Sequence, residues 1–164
     1  MANNSHYVRQ LTEASRLVAE KLAERGHSFA EWKLVYQSRS GAPHIPWLEP
    51  DVCDYLEELG GQGVTDVAVL PIGFISDHME VMYDLDDEAQ EASANVGMKM
   101  VRAASVGTHP AFVRMIRDLI VERMTPGAER PSIGTYAANH DVCPVGCCLS
   151  GRPGEPKPSA AQAS

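Results

Sequence analysis

The chain has 164 residues, 44% of them hydrophobic and 22% charged, a composition that suits one soluble domain with a core of its own. Fourteen Lys and Arg against 22 Asp and Glu leave a formal charge of −8, which argues against nucleic acid or an anionic membrane as partner. There is no apolar run of roughly 18 residues to span a membrane, and residues 1–25 lack the apolar core of a signal peptide, so a cytoplasmic location is expected. In chain order, residues 4–25 predict a helix: Val8, Leu11, Val18 and Leu22 share a stripe, and Gly26 stands where the helix should stop. Trp32 to Ser38 predicts a first strand. The loop from Ser38 to Pro50 holds three prolines and a glycine, which exclude regular structure. A short helix follows over 51–60, stopped by Gly60-Gly61. Thr65 to Phe74 predicts a buried second strand, residues 78–95 an acidic helix, and Lys99 to Ala104 a third, weaker strand. Thr108 or His109 caps a last helix to about Met124, with Pro110 in its first turn. Pro and Gly dominate after Thr125, and residues 150–164 have the composition of a disordered tail.

Alternation of strands and helices implies an α/β fold with a doubly wound parallel sheet. Ligands of such sheets bind beyond the carboxyl ends of the strands. Three segments meet at that rim: the loop from Ser38 to Trp47, the turn from Ser76 to Glu80, and the turn from Ser105 to Thr108. Three strands are few for this length, and the first helix has no strand before it. The sequence therefore reads as the back half of a larger protein.

The acidic helix carries the most chemistry. Glu80, Asp84 and Glu88 fall at i, i+4 and i+8, in one row down one face. Like charges at that spacing repel, and a cation or protons in transit would relieve them. Two structural readings compete. Asp77 as N-cap with Glu80 three residues on fits a capping box, and acids near a helix N-terminus are favoured by the dipole alone.

Three motifs, Tyr36-Gln37-Ser38-Arg39-Ser40-Gly41, then Pro46-Trp47-Leu48-x-Pro50, then Pro71-Ile72-Gly73-Phe74-x-Ser76-Asp77-His78-Met79-Glu80-Val81-x-Tyr83-Asp84-Leu85-Asp86, together resemble the ferrochelatases, most closely the actinobacterial type that makes haem through coproporphyrin III. The resemblance runs from about Ser5 to Cys148. It implies a two-lobed α/β enzyme that inserts Fe²⁺, its substrate, into a porphyrin and releases two protons. Residues 1–125 would be its second lobe, lacking the first, and 126–149 a C-terminal extension. By the same resemblance Glu80 matches the metal-site glutamate, Asp84 and Glu88 the row of acids leading from it, and Asp77 and His78 the adjoining catalytic turn. Trp47, Ser38 and Arg39 would face the porphyrin. A carboxylate beside the macrocycle can accept a pyrrole proton and attract Fe²⁺, and oxygen ligands hold Fe²⁺ loosely enough to hand it on. Ile45, Leu48, Phe74, Met79 and Met82 could add apolar wall. The family's metal-site histidine, in a His-Ser-(Leu/Ile)-Pro segment, has no counterpart here. His6 and His27 suit solvent-facing helix positions, His44 a loop and His109 a helix cap. This polypeptide alone is therefore expected to have little or no chelatase activity, with the missing N-terminal half as a possible partner and Met1 as a doubtful start.

Cys143, Cys147 and Cys148 crowd into six residues, which in a reducing compartment points to metal more than to disulfides. Zinc would need a fourth ligand such as His140, at an unusual spacing. The resemblance implies instead three ligands of a [2Fe-2S] cluster, with one ligand missing. Cys53 suits a small packed residue. The rival readings are a non-catalytic porphyrin- or metal-binding α/β module, a receiver-like acidic domain, and a cobalt or nickel chelatase.

Overall fold

The structure is a computed structural model that describes residues 7–39, 42, 44, 47–139 and 142. His6, Ile45, His140, Cys143, Cys147, Cys148 and the tail from 150 to 164 lie outside the described residues. Among the described residues five α-helices, one π turn and two strands follow one another: α1 (Tyr7–Glu24), α2 (Val52–Gly61), β1 (Asp66–Val69), α3 (Met79–Val81) running on through the π turn (Met82–Glu88) into α4 (Ala89–Asn95), β2 (Lys99–Arg102) and α5 (Pro110–Met124). Among the described residues no helix is long and apolar enough to cross a membrane. The chain divides into two compact units, Ala30–Val113 and Met1–Phe29 with Arg114–Ser164.

In the central unit β1 and β2 pair in parallel, Asp66 opposite Lys99 through Val69 opposite Arg102. The crossover between them is the acidic helix, as a βαβ unit requires. Val81, Leu85 and Ala89 of that helix are buried, with Leu85 only 1% exposed, against Val52, Leu56 and Leu59 of α2, Met98 just before β2 and Met100 within it. Helix-period and strand-period apolar positions thus meet in one α/β core.

Several expectations are corrected here. Trp32 to Ser38 does not form a strand. Backbone donors and acceptors need a ladder partner, and this segment has only the bridge at Tyr36, whose N–H donates to the Pro50 carbonyl (2.9 Å) while Val52 N–H donates to the Tyr36 carbonyl (2.8 Å). The sheet among the described residues is accordingly two-stranded. The second strand ends at Val69, not Phe74: Pro71 has no N–H for a ladder, and the chain turns through Ile72 N–H to Leu70 O (2.8 Å) and Phe74 N–H to Pro71 O (3.2 Å). The acidic helix is capped by His78, whose Nδ1 accepts from Val81 N–H at 3.5 Å, and not by Asp77; the capping box does not form, because Asp77 is engaged elsewhere. Its middle is wound as a π turn, with Ala89 N–H donating to Asp84 O, five residues back.

In the other unit α1 is tied to the segment after α5. Glu13 accepts the N–H of Thr135 at 2.7 Å and pairs with Arg16 at 2.8 Å, and Arg9 stands 5.1 Å over the Tyr136 ring. Arg16 holds the Glu13 carboxyl at about 2, from an ordinary 4.5, and the Thr135 N–H adds to this. α5 begins as the sequence predicts: His109 Nδ1 accepts Ala111 N–H at 3.2 Å.

Candidate functional site

A hollow of about 270 Å³ lies in the central unit, lined by Gln37, Ser38, Arg39, Asp51, Val52, Cys53, Tyr83, Asp84 and Glu88. The bridge at Tyr36 sets residues 37–39 beside the start of α2, and the π turn supplies the acidic wall. Ser38 is the one non-glycine residue at positive φ (63°) among those described. That turn delivers its hydroxyl to Asp84 Oδ2, donating at 2.8 Å, and Gln37 Nε2 donates to the same oxygen at 3.2 Å. Backbone strain of this kind persists where neighbouring contacts enforce it, often at functional sites. Trp47 Nε1 donates to the Gln37 carbonyl at 3.4 Å, and its ring is exposed.

The three acids of the wall are not equivalent. Asp51 caps α2, its Oδ1 accepting Cys53 N–H at 2.8 Å. Asp84 Oδ2 is committed to Ser38 and Gln37. Glu88 lies near Tyr83, and its charge pushes that phenol up from its usual value. Burial, with Asp51, Glu88, Asp54 and Asp84 behind it, pushes the Cys53 thiol from 9.0 to about 11. A thiol so raised is neutral near pH 7 and a poor metal ligand.

Glu80 stands apart from this hollow. It is exposed, in the first turn of the helix, beside Met79 (81% exposed) and Met82. His78 presents its ring edge to Phe74, centroids 5.0 Å apart. Asp77 Oδ1 accepts Ser105 N–H at 3.1 Å and pairs with Arg102 at 3.0 Å. These contacts, the Ser105 N–H foremost, lower its carboxyl below the usual range. Two of the three acids in the predicted row, half-buried Asp84 and exposed Glu88, therefore share a wall, and exposed Glu80 does not line it. Among the described residues no three His, Cys, Asp or Glu side chains converge as a ready metal cluster.

Tyr83, Asp51, Cys53 and Gln37 belong to the hollow without having been expected there. Tyr83 and Glu88 are five residues apart, which in a regular α-helix puts them on different faces. Only the π winding brings them together, and nothing in the residue types announces it. Gln37 lay inside a quoted motif with no task assigned to it.

Comparison with known proteins places these features in context. The ferrochelatase family model matches residues 1–124. The coproporphyrin III ferrochelatase of Streptomyces griseus is 50% identical over 162 residues, covering 96% of this chain and 42% of the relative. That of Streptomyces coelicolor is 50% identical over 163 residues with the same coverage, and the ferrochelatase of Rhodopirellula baltica is 49% identical over 150 residues, 91% of this chain and 41% of the relative. The chain thus spans about two-fifths of the length of the curated relatives it matches.

Proposed function

Because the chain belongs to the ferrochelatase family, we propose that it forms one side of a cleft in which Fe²⁺ is inserted into a porphyrin for haem synthesis. Coproporphyrin III is the preferred porphyrin, being the one in the names of the Streptomyces relatives. The observation that carries the reading is the shared wall of Asp84 and Glu88, on the helix that opens with the exposed Glu80. Two pyrrole N–H protons must leave as four nitrogens take one Fe²⁺. Glu80, at the mouth, accepts a proton or presents the ion. Asp84, held in place by Ser38 and Gln37, and Glu88, beside Tyr83, carry charge along the helix from Glu80. His78 and Asp77 shape the catalytic turn. Trp47, Ser38 and Arg39 form the porphyrin side, Ser38 acting through Asp84.

In this reading residues 1–125 form the second lobe, 126–149 an extension, and 150–164 a tail, and the protein works in the cytoplasm. Cys143, Cys147 and Cys148 would hold a [2Fe-2S] cluster, for which Cys53, with its raised thiol, is a poor fourth ligand. Equal amounts of bound iron and sulfide in the purified chain test that assignment.

The experiment is anaerobic Fe²⁺ insertion into coproporphyrin III, followed by visible absorbance. The chain alone should bind the porphyrin and turn over little. Fused to the first lobe of the Streptomyces coelicolor relative it should insert iron, and Glu80→Gln in the fusion should abolish insertion. A fusion that folds yet neither binds nor metallates coproporphyrin III, beside an active intact relative, sinks the proposal. Retention of porphyrin binding with no insertion in the fusion favours the non-catalytic binding module.

A further inference from the structure

Arg102 closes β2, and its side chain is only 14% exposed. It grips both carboxylate oxygens of Asp86, Nε on one and a terminal nitrogen on the other at 2.7 Å. The second terminal nitrogen donates to Asp77 Oδ1 at 3.0 Å and to the Ala103 carbonyl at 3.2 Å. Asp77 Oδ1 also accepts Ser105 N–H, so the same cluster includes the turn after β2.

The placement of these partners matters. Asp77 immediately precedes the helix cap His78, and Asp86 sits midway between Asp84 and Glu88 inside the π turn. β2 is fixed by its ladder to β1 and by buried Met100. Arg102 therefore transfers the position of the sheet to two points of the acidic helix, one before it and one within its widened turn. Core packing of Val81, Leu85 and Ala89 fixes the buried face of this helix, and the two Arg102 contacts add a polar restraint on its outer side at two points. The planar guanidinium fork suits this task, since its donors are preset in direction, whereas a lysine offers one compact charge.

We infer that Arg102 is a positioning residue: through Asp77 and Asp86 it sets the rotation of residues 77–88 and so aims the row of Glu80, Asp84 and Glu88. The inference rests on the chelatase reading for what the row is aimed at, and on the geometry alone for how it is held.

The test uses the full chain with Arg102→Gln, Arg102→Lys and, as a second route to the same pair, Asp86→Asn. Hydrogen exchange is followed at the Ala89 amide, which bonds across the π turn, with the Leu56 and Leu59 amides of α2 as internal reference. Fe²⁺ binding is titrated anaerobically. Loss of a charged hydrogen-bonded pair should speed Ala89 exchange in Arg102→Gln and Asp86→Asn roughly tenfold, with Fe²⁺ affinity falling by a similar factor and α2 unchanged. Arg102→Lys should lie between wild type and Arg102→Gln. Unchanged Ala89 exchange overturns the inference, as does equal acceleration of Ala89 and α2, which would make Arg102 a general support of the fold. Local acceleration with unaltered Fe²⁺ affinity overturns the aiming. If the wild-type chain takes up no Fe²⁺, the aiming is overturned for this chain, the chelatase reading is judged by the fusion, and the exchange data still decide whether Arg102 holds the turn.

Discussion

Residues 30–113 and the helices α1 and α5 make different use of apolar side chains. Every buried hydrophobic residue among those described falls between Val52 and Met100. α1 and α5 bury none, although Val113, Ile116, Leu119, Ile120 and Val121 give α5 as many large apolar groups as any helix here. An apolar stripe yields stability only where a second element covers it. In the central unit α2, β2 and the acidic helix cover one another, and the hollow with Asp84 and Glu88 is built on that packing.

The largest test of this contrast is Leu85→Ala, which empties the centre of the core beneath the acidic wall. It should cost about 2–5 kcal/mol of unfolding free energy. Both tryptophans, Trp32 and Trp47, lie in residues 30–113, so their fluorescence in urea reports on that unit. Next comes Gly134→Ala. Gly134 has φ of 77°, and an added Cβ would meet Glu13 Oε1 at 2.3 Å. The left-handed backbone alone should cost roughly 1–3 kcal/mol, read as faster exchange of the Thr135 amide with unchanged tryptophan fluorescence. Ser38→Ala removes a donor to Asp84 and should cost about 1 kcal/mol in the same urea titration. Leu119→Ala, at an exposed α5 position, should change stability by no more than about 0.5 kcal/mol. A loss as large as that of Leu85→Ala would erase the contrast.

Titration separates the two units further. The Glu13 carboxyl is lowered by folding, so its contribution is complete above 4.5 and is lost as pH falls toward about 2. Acid in that window should release the Thr135 amide. The Cys53 thiol is raised by folding, so its contribution is complete below 9.0 and is lost as pH rises through about 11. Alkylation of Cys53, followed by peptide mass spectrometry, should be slow at pH 8 and climb only near that upper value.

Much of this was legible in the residues. The parallel α/β pattern, the short helix from about residue 51, the cap at His109 and the acidic crossover follow from period, Gly and Pro placement and capping chemistry. The motifs around Gln37, Trp47 and Asp84 did mark the family to which the chain belongs. What escaped was long-range. Strand propensity in Trp32 to Ser38 says nothing about whether a ladder partner exists. The shift of the cap from Asp77 to His78 depends on Arg102 and Ser105, more than 20 residues away. The π winding has no composition of its own, so the Tyr83 and Glu88 pair could not be read from spacing.

The closeness of α2 to α4 has a bearing on all of this. At Gly60 a single methyl would fall 2.5 Å from Val96, so the two helices touch there backbone against side chain. The opposite end of α2 carries Asp51 and Cys53 into the hollow. The helix is thus a rigid beam pinned at its far end, and one extra carbon at position 60 would tilt it and change the width of the chamber about two turns away.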